Sequence, residues 1–172
     1  MGGDDLKVVK RQLGKDIYNF RRVIRRCSRG FPVVIESFPE KEGKPFPTLH
    51  WLTCPYLRKG VSKLESNGWI KKFEEMVQKD KDFRKSLIKA HLQVKEKREK
   101  LTKDEAIRAL LKNVGSGGIR DLTKVKCLHL HLADFLAGVD NPIGRVVWEM
   151  IEEKECTNLP KECDSISKDY GR

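Results

Sequence analysis

The chain has 172 residues, a formal net charge of +11, 38% hydrophobic residues and 35% charged residues. Such a chain is polar for a globular protein but too apolar for a disordered one, and its length suits one domain with a real core. Its apolar runs are far shorter than a bilayer span, and its start, MGGDDLKVVK, has no apolar signal stretch, so a membrane-spanning or secreted protein is not expected.

Charge is unevenly spread. Residues 1–60 carry 13 Lys/Arg against 6 Asp/Glu, residues 61–120 carry 16 against 9, and residues 121–172 carry 7 against 10. The basic two-thirds suits a polyanion such as nucleic acid or polyphosphate, or an acidic protein partner; it suits equally a solvated, repulsive surface. Five cysteines, an odd count without a leader, argue against a disulfide framework and for reduced thiols in the cytoplasm.

In chain order, DDLKVVKRQLG reads as a short helix capped by Asp4 or Asp5 and stopped by Gly14. Three strand-like runs follow, NFRRVIRRC, FPVVIESF and FPTLHWLTC, the last two pairing as a hairpin across Gly43. From Pro55 the apolar period becomes helical. Leu57, Val61 and Leu64 share one face, Trp69, Phe73 and Val77 another, and Phe83, Leu87 and Val94 mark a longer helix. Thr102, with Glu105 three residues on, reads as a capping box for a further helix ending at Gly115. After the loop GSGGIRD comes KVKCLHLHLADFLAG, and a last helix starts at Asn141-Pro142. The expected class is α+β: a small, mostly antiparallel sheet of about three strands near the N-terminus with five or six helices on it. Residues 1–155 form the expected domain, and 156–172 a frayed polar tail.

KVKCLHLHLADFLAG admits two readings. On a strand, Cys127, His129 and His131 would share a face. The apolar spacing Val125, Leu128, Leu132, Leu136 favours a helix from Thr123 or Asp121 to Gly138, which pairs Cys127 with His131 and turns His129 away. Two ligands are half a zinc site, and Cys54 after the third strand and His91 in the long helix supply chemically suitable partners. The candidate metal set is therefore Cys54, His91, Cys127 and His131, with His129 and Cys27 in supporting positions. Zinc is the expected ion, iron a lesser candidate, and metal-free core histidines the alternative. A rival is a catalytic thiol at Cys54 or Cys127, the latter favoured by a place in the first helical turn. Whether the chain is an enzyme stays open.

Five arginines, Arg21, Arg22, Arg25, Arg26 and Arg29, crowd one strand and its turn. With Arg120 and Lys124 beside the glycine loop they form the candidate anion-binding set. The alternative is an edge strand guarded by charge.

The segments RRCSRGFPVVIE, PFPTLHWLTCP, KLESNGWI, KAHLQ, KVKCLHLHLADFLAG and NPIG together resemble one uncharacterised bacterial family, the domain-of-unknown-function family numbered five hundred and one. The resemblance runs from about Val9 to Trp148. It implies no established activity. Cys27, Cys54, His91, Cys127, His129, His131, Asn141, Pro142 and Gly144 match its motif positions. His50 stands where members more often carry tyrosine, and Cys156 and Cys163 lie outside the motifs, so none of the three joins the expected site.

Overall fold

The computed structural model describes residues 2–164. The N-terminal part comprises α1 (Gly2–Leu13), β1 (Phe20–Arg26), β2 (Pro32–Ser37), β3 (Glu40–Lys41), β4 (Lys44–Pro45) and β5 (His50–Leu52). Helices follow: α2 (Pro55–Ser66), α3 (Trp69–Lys79), α4 (Lys81–Leu101) and α5 (Glu105–Leu111), then a 3₁₀ turn (Ser116–Gly118), α6 (Leu128–Leu136), α7 (Pro142–Met150) and α8 (Lys161–Asp164). The class is α+β. Strands β1, β2 and β5 form one antiparallel sheet in that order, and β3 and β4 form a two-stranded ribbon at Gly43, at the tip of the connection between β2 and β5. No helix among the described residues is long and apolar enough to cross a membrane.

Strand β2 is central and buried at all six positions, which suits its run Pro-Val-Val-Ile-Glu-Ser. Strand β1 is one of the two edges, opposite β5. Its pairing slips between Phe20 and Arg22, between Val23 and Arg25, and between Arg25 and Arg26. These irregularities break the strict alternation of side chains that a regular strand would impose on its arginines. Arg21 and Arg22 therefore both reach Glu36 of β2.

Two helix starts differ from expectation. Asp104, not Thr102, caps α5, its carboxylate accepting from Ala106 N at 2.8 Å and Ile107 N at 3.2 Å. Thr102 instead ends α4, its hydroxyl donating to Arg98 O at 2.8 Å. A carboxylate nearer the first helical turn is the better partner for free N–H groups and for the helix dipole. Helix α6 begins at Leu128, not near Thr123; Asp121 and Thr123 form a local turn, and Cys127 is extended at φ −152°, ψ 152°.

Helix α6 is buried on nearly every side, through Leu128, Leu130, His131, Leu132, Ala133, Asp134 and Leu136. It joins Val34, Leu57, Phe73, Leu87, Ile143 and Val147 in the main core. Each such apolar side chain contributes roughly 1.5–3 kcal/mol on leaving water. Helix α7 crosses α6 at Gly144, where a Cβ would fall 2.1 Å from His131 O and 2.5 Å from Phe135 Cβ. Only glycine permits that approach.

The chain after α7 does not behave as a free tail up to residue 164. Ser28 N donates to Glu155 Oε1 at 2.7 Å, Arg29 Nη2 donates to Thr157 O at 2.9 Å, and Cys163 on α8 is 4% exposed. Residues 165–172 of the expected tail lie outside the described residues.

Candidate functional site

The extended backbone at Cys127 decides what its thiol meets. Because the residue precedes α6, it does not follow helical phase, and the expected pairing with His131 is not formed. Its sulfur lies instead with His129 and with Glu65 of α2, one ligand atom from each within 4.8 Å of the others. Glu65 Oε1 accepts from Leu128 N at 2.8 Å and stands 3.0 Å from His129 Nδ1, so it both caps α6 and orients the imidazole. His129 Nε2 lies 3.2 Å from Arg58 O and 3.3 Å from Ser62 Oγ. Three residues spaced along α2, at positions 58, 62 and 65, thus share the face that holds this ring.

Cys127 and His129 open on a cavity of about 320 Å³ whose wall also carries His50 and the cationic side chains Lys15, Arg58 and Lys126. Burial pushes the Cys127 thiol above its ordinary value, and the field of Glu65 adds to this; the amides of Leu130 and His129 and the charge of Lys126 oppose it without prevailing. Burial and Glu65 together favour the protonated thiol.

His91 and His131 lie elsewhere, in a buried polar network between α4, α6, the 3₁₀ turn and β5. Asp134 is its hub. Its Oδ1 is 2.8 Å from His50 Nδ1, and its Oδ2 accepts from Ser116 Oγ at 2.6 Å. Ser116 N donates to His91 Nδ1 at 3.0 Å. Asn141 caps α7 through Oδ1, which accepts from Gly144 N at 3.0 Å, so its Nδ2 faces His131 Nδ1 at 3.0 Å as a donor. These partners set the tautomers: Nδ1 of His91 and of His131 accepts, which leaves the ring proton of each on Nε2. Neither neutral ring then offers Nε2 as a metal lone pair, although the rings are neighbours with centroids 6.0 Å apart. Burial pushes His131 from 6.5 down to about 4 and lowers His91 as well. The serine hydroxyl meets the carboxylate rather than an imidazole, so the network is not a nucleophile–base pair.

Cys54, His91, Cys127 and His131 are accordingly distributed over three places. Cys54 and Cys27 line a separate cavity with Cys156 and Cys163. His129 and Glu65 are the partners Cys127 has in the fold. Glu65, Ser116, Asp134 and Arg98 escaped the reading of the sequence, and His50 stood outside the expected site. Glu65 is one acidic residue among many on amphipathic helices; Asp134 is unmarked in its leucine-rich run; His50 and Ser116 belong to no ligand spacing; Arg98 looks like any surface arginine of a charged helix. Arg98 is nevertheless 1% exposed and donates to four carbonyls: Pro47 at 3.0 Å, Gly115 and Leu111 at 2.9 Å, and Val114 at 2.6 Å. It shapes the loop that carries Ser116 to Asp134 and His91.

Most of the arginine-rich strand has internal work. Arg22 Nε donates to Glu36 at 2.9 Å beside Arg21. Burial by itself would raise Glu36, but the two guanidiniums outweigh it and hold the carboxyl below its ordinary value. Arg26 grips Asp5 through two bonds of 2.9 and 2.8 Å, and Arg25 lies over the Trp148 ring at 5.6 Å. In the glycine loop, the N–H groups of Gly115, Ser116, Gly118 and Ile119 all have partners within the protein. Arg120 and Lys124 remain exposed.

A family model described as Protein of unknown function (DUF501) matches residues 23–149. No curated protein and no solved structure matches the chain.

Proposed function

We propose that this chain, which belongs to the DUF501 family, is a metal-binding protein whose ion is held by Glu65, Cys127 and His129. The observation that carries this reading is the placing of one carboxylate, one thiol and one imidazole atom within 4.8 Å of each other, with Cys127 and His129 on a cavity wall. Sulfur, nitrogen and oxygen donors of this kind suit zinc, and three protein ligands leave a fourth position for water or substrate. Zinc would replace the proton between Glu65 and His129 and would bring the raised Cys127 thiol down to thiolate. Lys15, Arg58 and Lys126 favour an anionic molecule in the cavity, and Ser62 and Arg58 O position the imidazole. The polyanion alternative is less well supported, since Arg21, Arg22 and Arg26 are already paired with Glu36 and Asp5.

The test is metal analysis of untagged protein, followed by zinc titration of the chelator-treated form. Zinc at one equivalent per chain is expected, with affinity falling roughly 100-fold or more in Cys127→Ser and His129→Ala. Affinity should rise with pH, because zinc competes with the proton on Cys127 and that proton is held more tightly than in a free cysteine. Zinc binding unchanged in both variants, or no binding by the folded wild type, would overturn the assignment.

A further inference from the structure

Four of the five cysteines converge on one place, and the chemistry of Cys127 does not involve them. Cys27 ends the sheet's edge strand, Cys54 precedes α2, Cys156 lies in the irregular chain after α7, and Cys163 is on α8. All four line a single cavity of about 110 Å³, and all four are free thiols. They come from segments up to 136 positions apart (27 to 163), so neither local spacing nor a shared helix face explains the meeting. We propose that Cys27, Cys54, Cys156 and Cys163 ligate an iron–sulfur cluster in the cavity they enclose.

The spacing of the sulfurs separates this from a single zinc ion. Four thiolates on one zinc at about 2.3 Å are mutually about 3.8 Å apart. Among the described residues no three of these sulfurs lie within 4.8 Å of one another. They line a cavity, a placing that a polynuclear iron–sulfur core can bridge.

The surroundings fit an anionic sulfur-rich group. Gln12, 4% exposed, donates through Nε2 to Cys163 Sγ at 3.3 Å, and the same nitrogen is anchored on Pro32 O at 3.0 Å. Arg29 Nη1 donates to Cys156 Sγ at 3.8 Å. Cys54 stands at the start of α2, where it makes no capping hydrogen bond, yet the amides of Leu57 and Tyr56 favour its ionised form. Such N–H groups directed at cluster sulfurs stabilise the bound state and tune it. Arg25, Arg26 and Lys154 add positive charge to the rim.

Burial raises the Cys54 and Cys163 thiols, and neighbouring cysteines of the same group raise both further. Loading is a thiol exchange on a cluster assembled beforehand with dithiothreitol sulfurs as its outer ligands: each cysteine S–H bond breaks, its sulfur bonds iron, the iron–dithiothreitol sulfur bond breaks, and the proton passes to the departing thiolate. No change of oxidation state is part of the proposal.

The segment after α7 acts as the closing wall. Glu155 holds Ser28 N at 2.7 Å, and Arg29 holds Thr157 O at 2.9 Å, so the turn carrying Cys27 and the chain carrying Cys156 are tied together. Lys154 ties the same chain to α7 through the carbonyls of Trp148 and Ile151.

The experiment uses the full, untagged chain, reconstituted under argon with ferric iron, sulfide and excess dithiothreitol and then desalted. Iron and acid-labile sulfide in equal amounts, with visible sulfur-to-iron charge-transfer absorption, are expected. Cys54→Ser, Cys163→Ser and Cys156→Ser should each lose most of that iron and sulfide, whereas Cys127→Ser should keep both. Cys156 lies on irregular chain and is half-buried, so its serine variant separates loss of ligand from loss of fold, as checked by circular dichroism. Zinc held without sulfide and lost in Cys54→Ser or Cys156→Ser, disulfides among these cysteines, no chromophore in folded wild type, or a cluster that survives Cys54→Ser and Cys156→Ser together would overturn the proposal. The zinc site at Cys127 fails or stands separately, since it is read in the Cys127→Ser and His129→Ala variants.

Discussion

His131 is completely enclosed, and its Nδ1 accepts from Asn141. An imidazolium there would lose solvation with no carboxylate bonded to it, which is why burial drives the group from 6.5 down to about 4. The unfolded chain therefore binds a proton in a range where the folded chain does not. Stability contributed by the neutral ring is fully present above pH 6.5 and is lost as pH falls from 6.5 towards 4. The size is on the order of 3 kcal/mol, and His91, lowered for the same reason, acts in the same direction. Urea unfolding measured across this range should show stability climbing with pH. In His131→Gln the slope should be shallower, and an unchanged slope would show that His131 is not the group titrating.

At the scale of elements, two contacts set how α6 is held. Arg98 joins α4 to the chain around Pro47 and to the loop from Leu111 to Gly115, with all its partners main-chain carbonyls. Burial lowers its affinity for the proton, but a guanidinium stays charged far above neutral pH, so the ring of carbonyls serves as its solvation. Arg98→Met removes the donors and strands several acceptors; a loss of about 3 kcal/mol or more in chemical denaturation is expected. Asp134, tied to the same loop through Ser116, should then lose order, visible as faster amide exchange at Ser116. At the α6–α7 crossing, Gly144→Ala places a methyl group against the backbone of His131, and a cost of about 1–3 kcal/mol is expected. A neutral outcome would mean that the two helices separate without penalty. Both contacts explain sequence features whose meaning was hidden. The NPIG stretch is an N-cap that also fixes a histidine tautomer, followed by a close helix crossing.

Taken as a whole, the molecule is a sheet and helices closed on one side by the chain beyond α7. A protein ending at Met150 would lose Cys156, Cys163 and the ties from Glu155 and Thr157 to the turn at Ser28 and Arg29. Cys27 and Cys54 should then react with a thiol reagent at least about tenfold faster than in the full apo chain, because opening no longer requires those ties to break. Equal rates would show that the closing segment does not protect the cavity. The net charge of +11 is only partly carried by unpaired groups at β1. Arg21 and Arg22 meet Glu36, and Arg26 meets Asp5.

The α+β class, the three strands, the order of the helices and most core positions were legible in the sequence, because periodicity and turn residues act over a few neighbouring positions. Cys127 and His129 were legible as ligand types for the same reason. Their grouping was not. A single extended residue before Leu128 takes Cys127 out of helical phase, and that depends on Glu65 from α2 accepting the first amide of α6. The meeting of Cys27 and Cys54 with Cys156 and Cys163 is a matter of long-range chain closure, to which no local pattern contributes. The sequence by itself determined the elements and the kinds of chemistry available to them. Only the tertiary structure decided which side chains share a site, because that rests on contacts between segments far apart along the chain.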